Sequence, residues 1–187
     1  MDALELLHGR NSAVKLCEPA PDPESLNKIF QAAVRAPDHA RLSPWRFVVI
    51  EGGAREKLGE LYVEAALQKN LELPQEKIDK LRRNPLRAPM LIAVVVQIQE
   101  HPKVPEIEQF LSAGAAAQNI LLACHALGYG AIWRTGDVSF LPETAAGLGL
   151  DPDNEKLIGF IYVGTVDGVP KPVPRHDVNS FVSYWQK

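Results

Sequence analysis

Three short segments concentrate the side chains that could do chemistry: Arg10-Asn11-Ser12, the run Ala36-Pro37-Asp38-His39-Ala40-Arg41-Leu42-Ser43-Pro44-Trp45-Arg46-Phe47, and Ala131-Ile132-Trp133-Arg134-Thr135-Gly136. Each puts a cation or a hydroxyl where a helix or strand is expected to end, and such ends offer free backbone N–H groups to a phosphorylated ligand. None holds a nucleophile beside a base, and none clusters metal ligands, so no metal site is expected. The pattern predicts a bound cofactor that carries the reaction while the protein holds and tunes it.

Other constellations fall away on geometry. Cys124 and His125 are neighbours on an expected helix and point about 100° apart, which is wrong for a nucleophile and its base. Gly128-Tyr129-Gly130 lacks a third glycine and follows a helix rather than a strand, so it fails as a dinucleotide fingerprint. Glu106 and Glu108 project from different faces and read as solvated or interfacial.

The elements that must position these residues are legible in outline. Leu4 and Leu7 form an apolar stripe on a short opening helix ended by Gly9 and Arg10. Asp22 reads as an N-cap with Pro23 in the first turn, and Leu26, Ile29, Phe30 and Ala33 follow at helical spacing toward Arg35. Arg46 to Glu51 is a β-branched strand stopped by Gly52-Gly53. A helix from Ala54 to about Asn70 and a shorter charged one around Ile78 and Leu81 lead to the strand Met90 to Val96, apolar on both faces and therefore central. A long, small-residue helix from Glu106 to Leu127, a strand over Ala131 to Arg134, a weak helix from Pro142 to Leu148 and a strand over Leu157 to Gly164 complete the set. Helices do not separate every strand, which predicts an α+β fold with a mixed sheet of about four to five strands among helices. The Pro-rich stretch Val169 to Pro174 and the apolar Phe181, Val182, Tyr184 and Trp185 predict a terminus that needs covering, for which a second copy would serve.

Composition bounds the rest. The 187 residues, 46% hydrophobic and 23% charged, fit a single domain spanning 1–187 with one sizeable core. A formal charge of −3 with both signs interspersed offers no field for nucleic acid. Cys17 and Cys124 lack zinc or disulfide spacing, and the acidic start Met1 to Leu7 is no signal peptide, so a cytoplasmic location is expected. Ser112 to Trp133 is free of charge but interrupted by Gln118, Asn119 and His125, and is read as a buried helix rather than a membrane span.

Taken in order, Arg10-Asn11-Ser12, Ala36-Pro37-Asp38-His39, Ser43-Pro44-Trp45, Arg87-Ala88-Pro89, His101-Pro102-Lys103-Val104-Pro105, Glu108-Gln109, Ser112-Ala113-Gly114, Gly130 to Gly136 and Gly159 to Thr165 carry a resemblance over nearly the whole chain. The chain resembles the nitroreductase family of FMN-dependent oxidoreductases, in particular its short single-domain branch. The resemblance implies a homodimer with two FMN sites at the interface, each built from both chains. It implies that Arg10, Asn11 and Ser12 meet the FMN from one subunit and Arg35 and His39 from the other, while Trp133, Arg134 and Thr135 close around it. The segment Ala123, Cys124, His125, Ala126, Leu127 and Gly128 corresponds to a stretch associated with the nicotinamide nucleotide.

The implied activity is ping-pong hydride transfer from NADH or NADPH to a nitroaromatic or quinone-like acceptor, with no protein side chain assigned as catalytic. A non-catalytic flavin carrier and a relative with other redox chemistry (dehalogenation, flavin breakdown) are the alternatives. Arg10 and Arg134, with the Ser12 hydroxyl, would pair the phosphate of FMN. His39, Arg35 or Arg41 would stabilise the reduced ring. Trp45 is expected in the core, and Trp133 serves the site through its backbone. Where the wider family often has Asn and Gln before the Pro-Trp pair, this chain has Arg41 and Ser43, and where that family often has Arg-Arg it has Arg10-Asn11.

Overall fold

The sheet hangs on one long strand. In the computed structural model, which describes residues 2–170, 172–173 and 175–186, the chain forms α1 (Ala3–Gly9), β1 (Leu16–Cys17), α2 (Pro23–Ala33), β2 (Trp45–Glu51), α3 (Ala54–Lys69), α4 (Gln75–Arg83), β3 (Met90–Gln97), α5 (Glu106–Ala126), β4 (Gly130–Arg134), α6 (Pro142–Gly147) and β5 (Glu155–Val166). The twelve residues of β5 pair with β3 and with β4, β3 pairs with β2, and the short β1 meets the far end of β5. Every pairing is antiparallel, which corrects the expected mixed sheet. The reason is an insertion: β3 and β4, joined by α5, both oppose β5 and so run parallel to each other, yet β5 lies between them and they never pair.

The apolar pattern of β3 divides the interior in two. Leu91, Ala93 and Val95 face a core built with α3 and α4, around Leu58, Tyr62, Val63 and Leu81. Ile92 and Val94 face the opposite core, built by Ile29 and Ala33 of α2 and by Ala117, Ile120 and Cys124 of α5. Both faces being covered is what a continuous apolar strand requires.

β5 does not keep strict alternation. Leu157, Phe160 and Tyr162 face one core, while Ile161 and Val163 face the other. The register explains this, because Val94 opposes Gly159 and Val95 opposes Leu157, leaving Ile158 as an extra residue. A bulge of this kind shifts the side-chain phase by one. Gly159 takes φ +136, in the region that favours glycine.

Local signals behave as expected at the helix starts. Asp22 accepts the Ser25 N–H at 2.8 Å with Pro23 in the first turn, and Asp2 and Glu5 form a reciprocal capping box on α1. The α1 stripe points outward, with Leu4 and Leu7 both exposed. Gly59 lets α3 and α4 touch, since a Cβ there would run into the Arg82 carbonyl oxygen. Gly59→Ala is therefore expected to destabilise the protein by about 1–3 kcal/mol, the usual range for overpacking, read as a drop in the urea midpoint at unchanged slope. Among the described residues no helix is long and apolar enough to cross a membrane.

Candidate functional site

The outer edge of β4 is where two of the expected segments approach each other. The Ala13 N–H donates to the Ala131 carbonyl at 3.1 Å, so Ala13 sits on that edge, and Asn11 and Ser12 lie near its start, beside Gly128 and Gly130. Backbone groups of an antiparallel strand alternate in direction, and Trp133, two residues beyond Ala131, therefore turns its own N–H and C=O to the same open edge. The Trp133 indole is already committed. It packs on the core with α2 and α5, and its Nε1–H donates to the Ile158 carbonyl at 3.1 Å, satisfying the bulge. What Trp133 offers a ligand is its backbone. Thr135 follows the strand and is exposed.

Gly159 makes that arrangement possible, because a Cβ would collide with Trp133 Nε1 and lie 2.9 Å from the Arg134 carbonyl oxygen. Gly159→Ala combines a positive-φ penalty with this clash. It is expected to displace Trp133, lower stability by about 2–4 kcal/mol, and blunt ligand uptake at the β4 edge, which tryptophan fluorescence and thermal unfolding would report together.

Arg134 ends β4 on the opposite face of the sheet from Trp133. Its guanidinium sits over the Tyr162 ring, 5.4 Å from the centroid, a cation–π contact. Its Nε is buried with no hydrogen-bond partner. Burial first, and then the neighbouring Arg87, hold the Arg134 pKa below the ordinary arginine value; burial likewise raises that of Tyr162, with Arg134 and Arg87 opposing it. Among the described residues neither Arg134 nor Arg87 makes an ion pair, and two like charges so placed suit an anion. The side chain of Arg10, at the C-cap of α1, likewise makes no ion pair among the described residues.

Asn11 and Ser12 line a cavity of about 700 Å³ with Lys15, His125, Gly128 and Tyr129. The structure thus joins the Arg10–Ser12 segment to the C-terminal turn of α5. Within the expected nucleotide stretch, His125 and Gly128 open onto the cavity, whereas Cys124 is fully buried. Its thiol is pushed up to about 12 by burial, so its side chain serves the core and not a ligand. Ala123 packs on that same core, and Ala126 and Leu127 are exposed.

Arg35 and His39 lie elsewhere. His39 begins a tight turn, His39–Arg41, whose Nδ1 is 2.6 Å from Glu108 Oε2 near the start of α5. Glu108 keeps 41% of its side chain exposed while making this pairing. His125 and Glu108 are separated by roughly 25 Å of helix, so one chain does not bring His39 to the cavity beside Ser12, which Arg35, exposed just past α2, does not line either. Trp45 is half-buried on β2. Arg87, Tyr162 and Gly159 went unassigned on sequence, although Arg87-Ala88-Pro89 and the Gly159–Thr165 run signalled their segments. Among the described residues no three His, Cys, Asp or Glu are placed to hold a metal.

The family model described as Nitroreductase family matches residues 10–165. The Escherichia coli strain K12 protein named "Putative NAD(P)H nitroreductase YdjA" is 41% identical over 192 residues, covering 99% of this chain and 100% of its own. A Haemophilus influenzae protein with the same name apart from the YdjA is 37% identical over 186 residues, covering 98% and 100%. Among solved structures, a nitroreductase-like family protein from Bacillus cereus superposes with a TM-score of 0.83 at 20% identity, over 100% of this chain and 97% of that one. The FMN-dependent nitroreductase NfnB from Mycobacterium smegmatis, solved in complex with NADPH, gives 0.75 at 21% identity over 98% of each chain. These structural likenesses establish the fold.

Proposed function

Because the chain belongs to the nitroreductase family, we propose that it is an FMN-dependent NAD(P)H oxidoreductase that reduces nitroaromatic or quinone-like acceptors. It acts as a homodimer, one domain per chain, with two flavin sites that each draw on both subunits. The observation that carries this reading is unmatched positive charge: Arg134 at the end of β4, with its buried Nε unpartnered and Arg87 nearby, and Arg10 at the C-cap of α1, which makes no ion pair among the described residues. The dianionic phosphate of FMN is the counter-charge such a set fits, and charge-assisted hydrogen bonds are the strong ones.

In this reading Arg10, Asn11, Ser12 and Arg134 hold the phosphate and ribityl chain, and the outward backbone of Trp133 with Thr135 borders the ring. Arg35 and His39 of the partner subunit approach from the other side, consistent with the distance of His39 from Ser12 within one chain. The cavity at His125 and Gly128 receives part of the nicotinamide nucleotide. When bound, FMN would supply the hydride chemistry that links NADH or NADPH to the acceptor in a ping-pong cycle. The exposed Leu4, Leu7, Ile107 and Leu111, and the exposed Phe181, Tyr184 and Trp185, provide the apolar surface a second copy would cover.

The test is spectroscopic. Purified protein, reconstituted with FMN where needed, should show bound-flavin absorbance that bleaches under NADH or NADPH and returns when acceptor is added. Protein that takes up no flavin sinks the proposal. Flavin that binds but stays oxidised under both nucleotides favours a carrier instead.

A further inference from the structure

The turn that carries His39 is held far more tightly than an exposed loop needs. Ala40, Arg41 and Ser43 all have positive φ, at 60°, 59° and 50°, an uncommon and strained conformation for residues with side chains. Three clamps maintain it. Asp38 accepts the Ser43 N–H at 2.7 Å, Gln99 Nε2–H donates to the Leu42 carbonyl at 2.8 Å, and Glu108 engages His39. Gln99 is itself anchored, its backbone N–H and C=O bonded to the side-chain amide of the buried Gln109 at 2.9 and 2.8 Å. Glu108 and Gln109, adjacent on α5, thus grip the turn from two sides.

The His39–Glu108 pair is half-exposed, at 53% and 41% of the side chains, and pairs of that kind add little to stability. Orientation is what it does supply. Glu108 is the third residue of α5, at the positive end of the helix, and its Oε2 is placed to accept a hydrogen bond from the His39 ring. The other charged groups of the turn are Asp38, occupied by Ser43, and the exposed Arg41.

We propose that Glu108 is a positioning residue that holds the His39 proton on Nδ1, leaving Nε2 on the far side of the ring as an acceptor for an N–H or O–H of the flavin bound with the partner subunit. This rests on the FMN reading above. It makes His39 a fixed hydrogen-bond acceptor rather than a roaming cation.

The full-length protein labelled with nitrogen-15 in its histidine rings tests this at about pH 9, above the ordinary imidazole range, with the His39 signal assigned through His39→Gln. The parent should show Nδ1–H, Glu108→Ala should revert to Nε2–H, and Glu108→Gln should keep Nδ1–H because its amide oxygen accepts the same proton. FMN affinity should fall roughly 5- to 10-fold in Glu108→Ala and stay within about twofold in Glu108→Gln. A parent ring that is Nε2–H or doubly protonated overturns the assignment, as does a Glu108→Ala ring that keeps Nδ1–H. The expected tautomers with unchanged FMN affinity in Glu108→Ala overturn its link to the flavin. Failure of the parent to bind FMN is read separately, before any variant, and sinks the functional reading itself.

Discussion

Arg134→Met should weaken FMN binding by about 10- to 100-fold while leaving the thermal midpoint of the flavin-free protein unchanged or higher. The two effects have opposite signs for one reason. In the folded chain Arg134 carries a buried Nε with no partner and sits near a second arginine, so methionine of similar length removes an unsatisfied polar atom and a like-charge contact. The cation–π contact with Tyr162 is lost, and a methionine thioether against the same ring offsets part of it. What is lost is a charge-assisted bond to phosphate, worth roughly 1.5–3 kcal/mol, and each 1.4 kcal/mol is about tenfold in affinity. Flavin titration and thermal unfolding on the same sample check both halves. An unchanged dissociation constant would remove Arg134 from the site; a large fall in midpoint would make it a structural residue.

Glu155→Ala should be the most damaging charge deletion for the fold. Glu155 is buried at the start of β5 and accepts bonds from Arg46 Nε and Nη2, both at 2.7 Å, from Gln97 at 3.0 Å and from the Asp151 backbone N–H at 2.9 Å. It therefore ties β2, β3 and the loop before β5 at one point. Deleting it strands Arg46, which is about one-third exposed, so the expected loss is about 2–3 kcal/mol, below the full penalty for a buried orphan charge. The Arg46 hydrogen bonds lower the Glu155 pKa to about 2 from the ordinary 4.5, against the opposing effect of burial. A carboxylate depressed on folding adds stability that is fully present above its unfolded value and drains away as pH falls through its folded value. The parent should thus lose this contribution between about pH 4.5 and pH 2, and Glu155→Ala should show a flatter acid limb in urea unfolding across that window. Equal acid limbs would show that the network does not carry the acid sensitivity.

These predictions draw on different kinds of information. Helices α2, α3 and α5, strands β2 and β3, and the Asp22 cap were readable from the chain because periodicity, caps and turn residues are properties of contiguous segments. The two-core division was half-legible: an all-apolar β3 required cover on both faces without specifying which helices would supply it. Candidate site residues were found because motifs in order carried a family resemblance, not because any one of them encoded a contact. Arg134 was picked as a cation at a strand end, while its partners Tyr162 and Arg87 lie 28 and 47 residues away and no local pattern links them.

From its residues alone this protein could be assigned most of its elements and its family likeness, since each follows from short-range spacing. Folding in three dimensions settled the insertion of β5 between β3 and β4, the bulge at Ile158 that the Trp133 indole satisfies, and the grip of Glu108 on His39. Those depend on register and on which distant faces meet. Such choices are made by the packing of the whole core, where a single extra residue in one strand redirects every side chain after it.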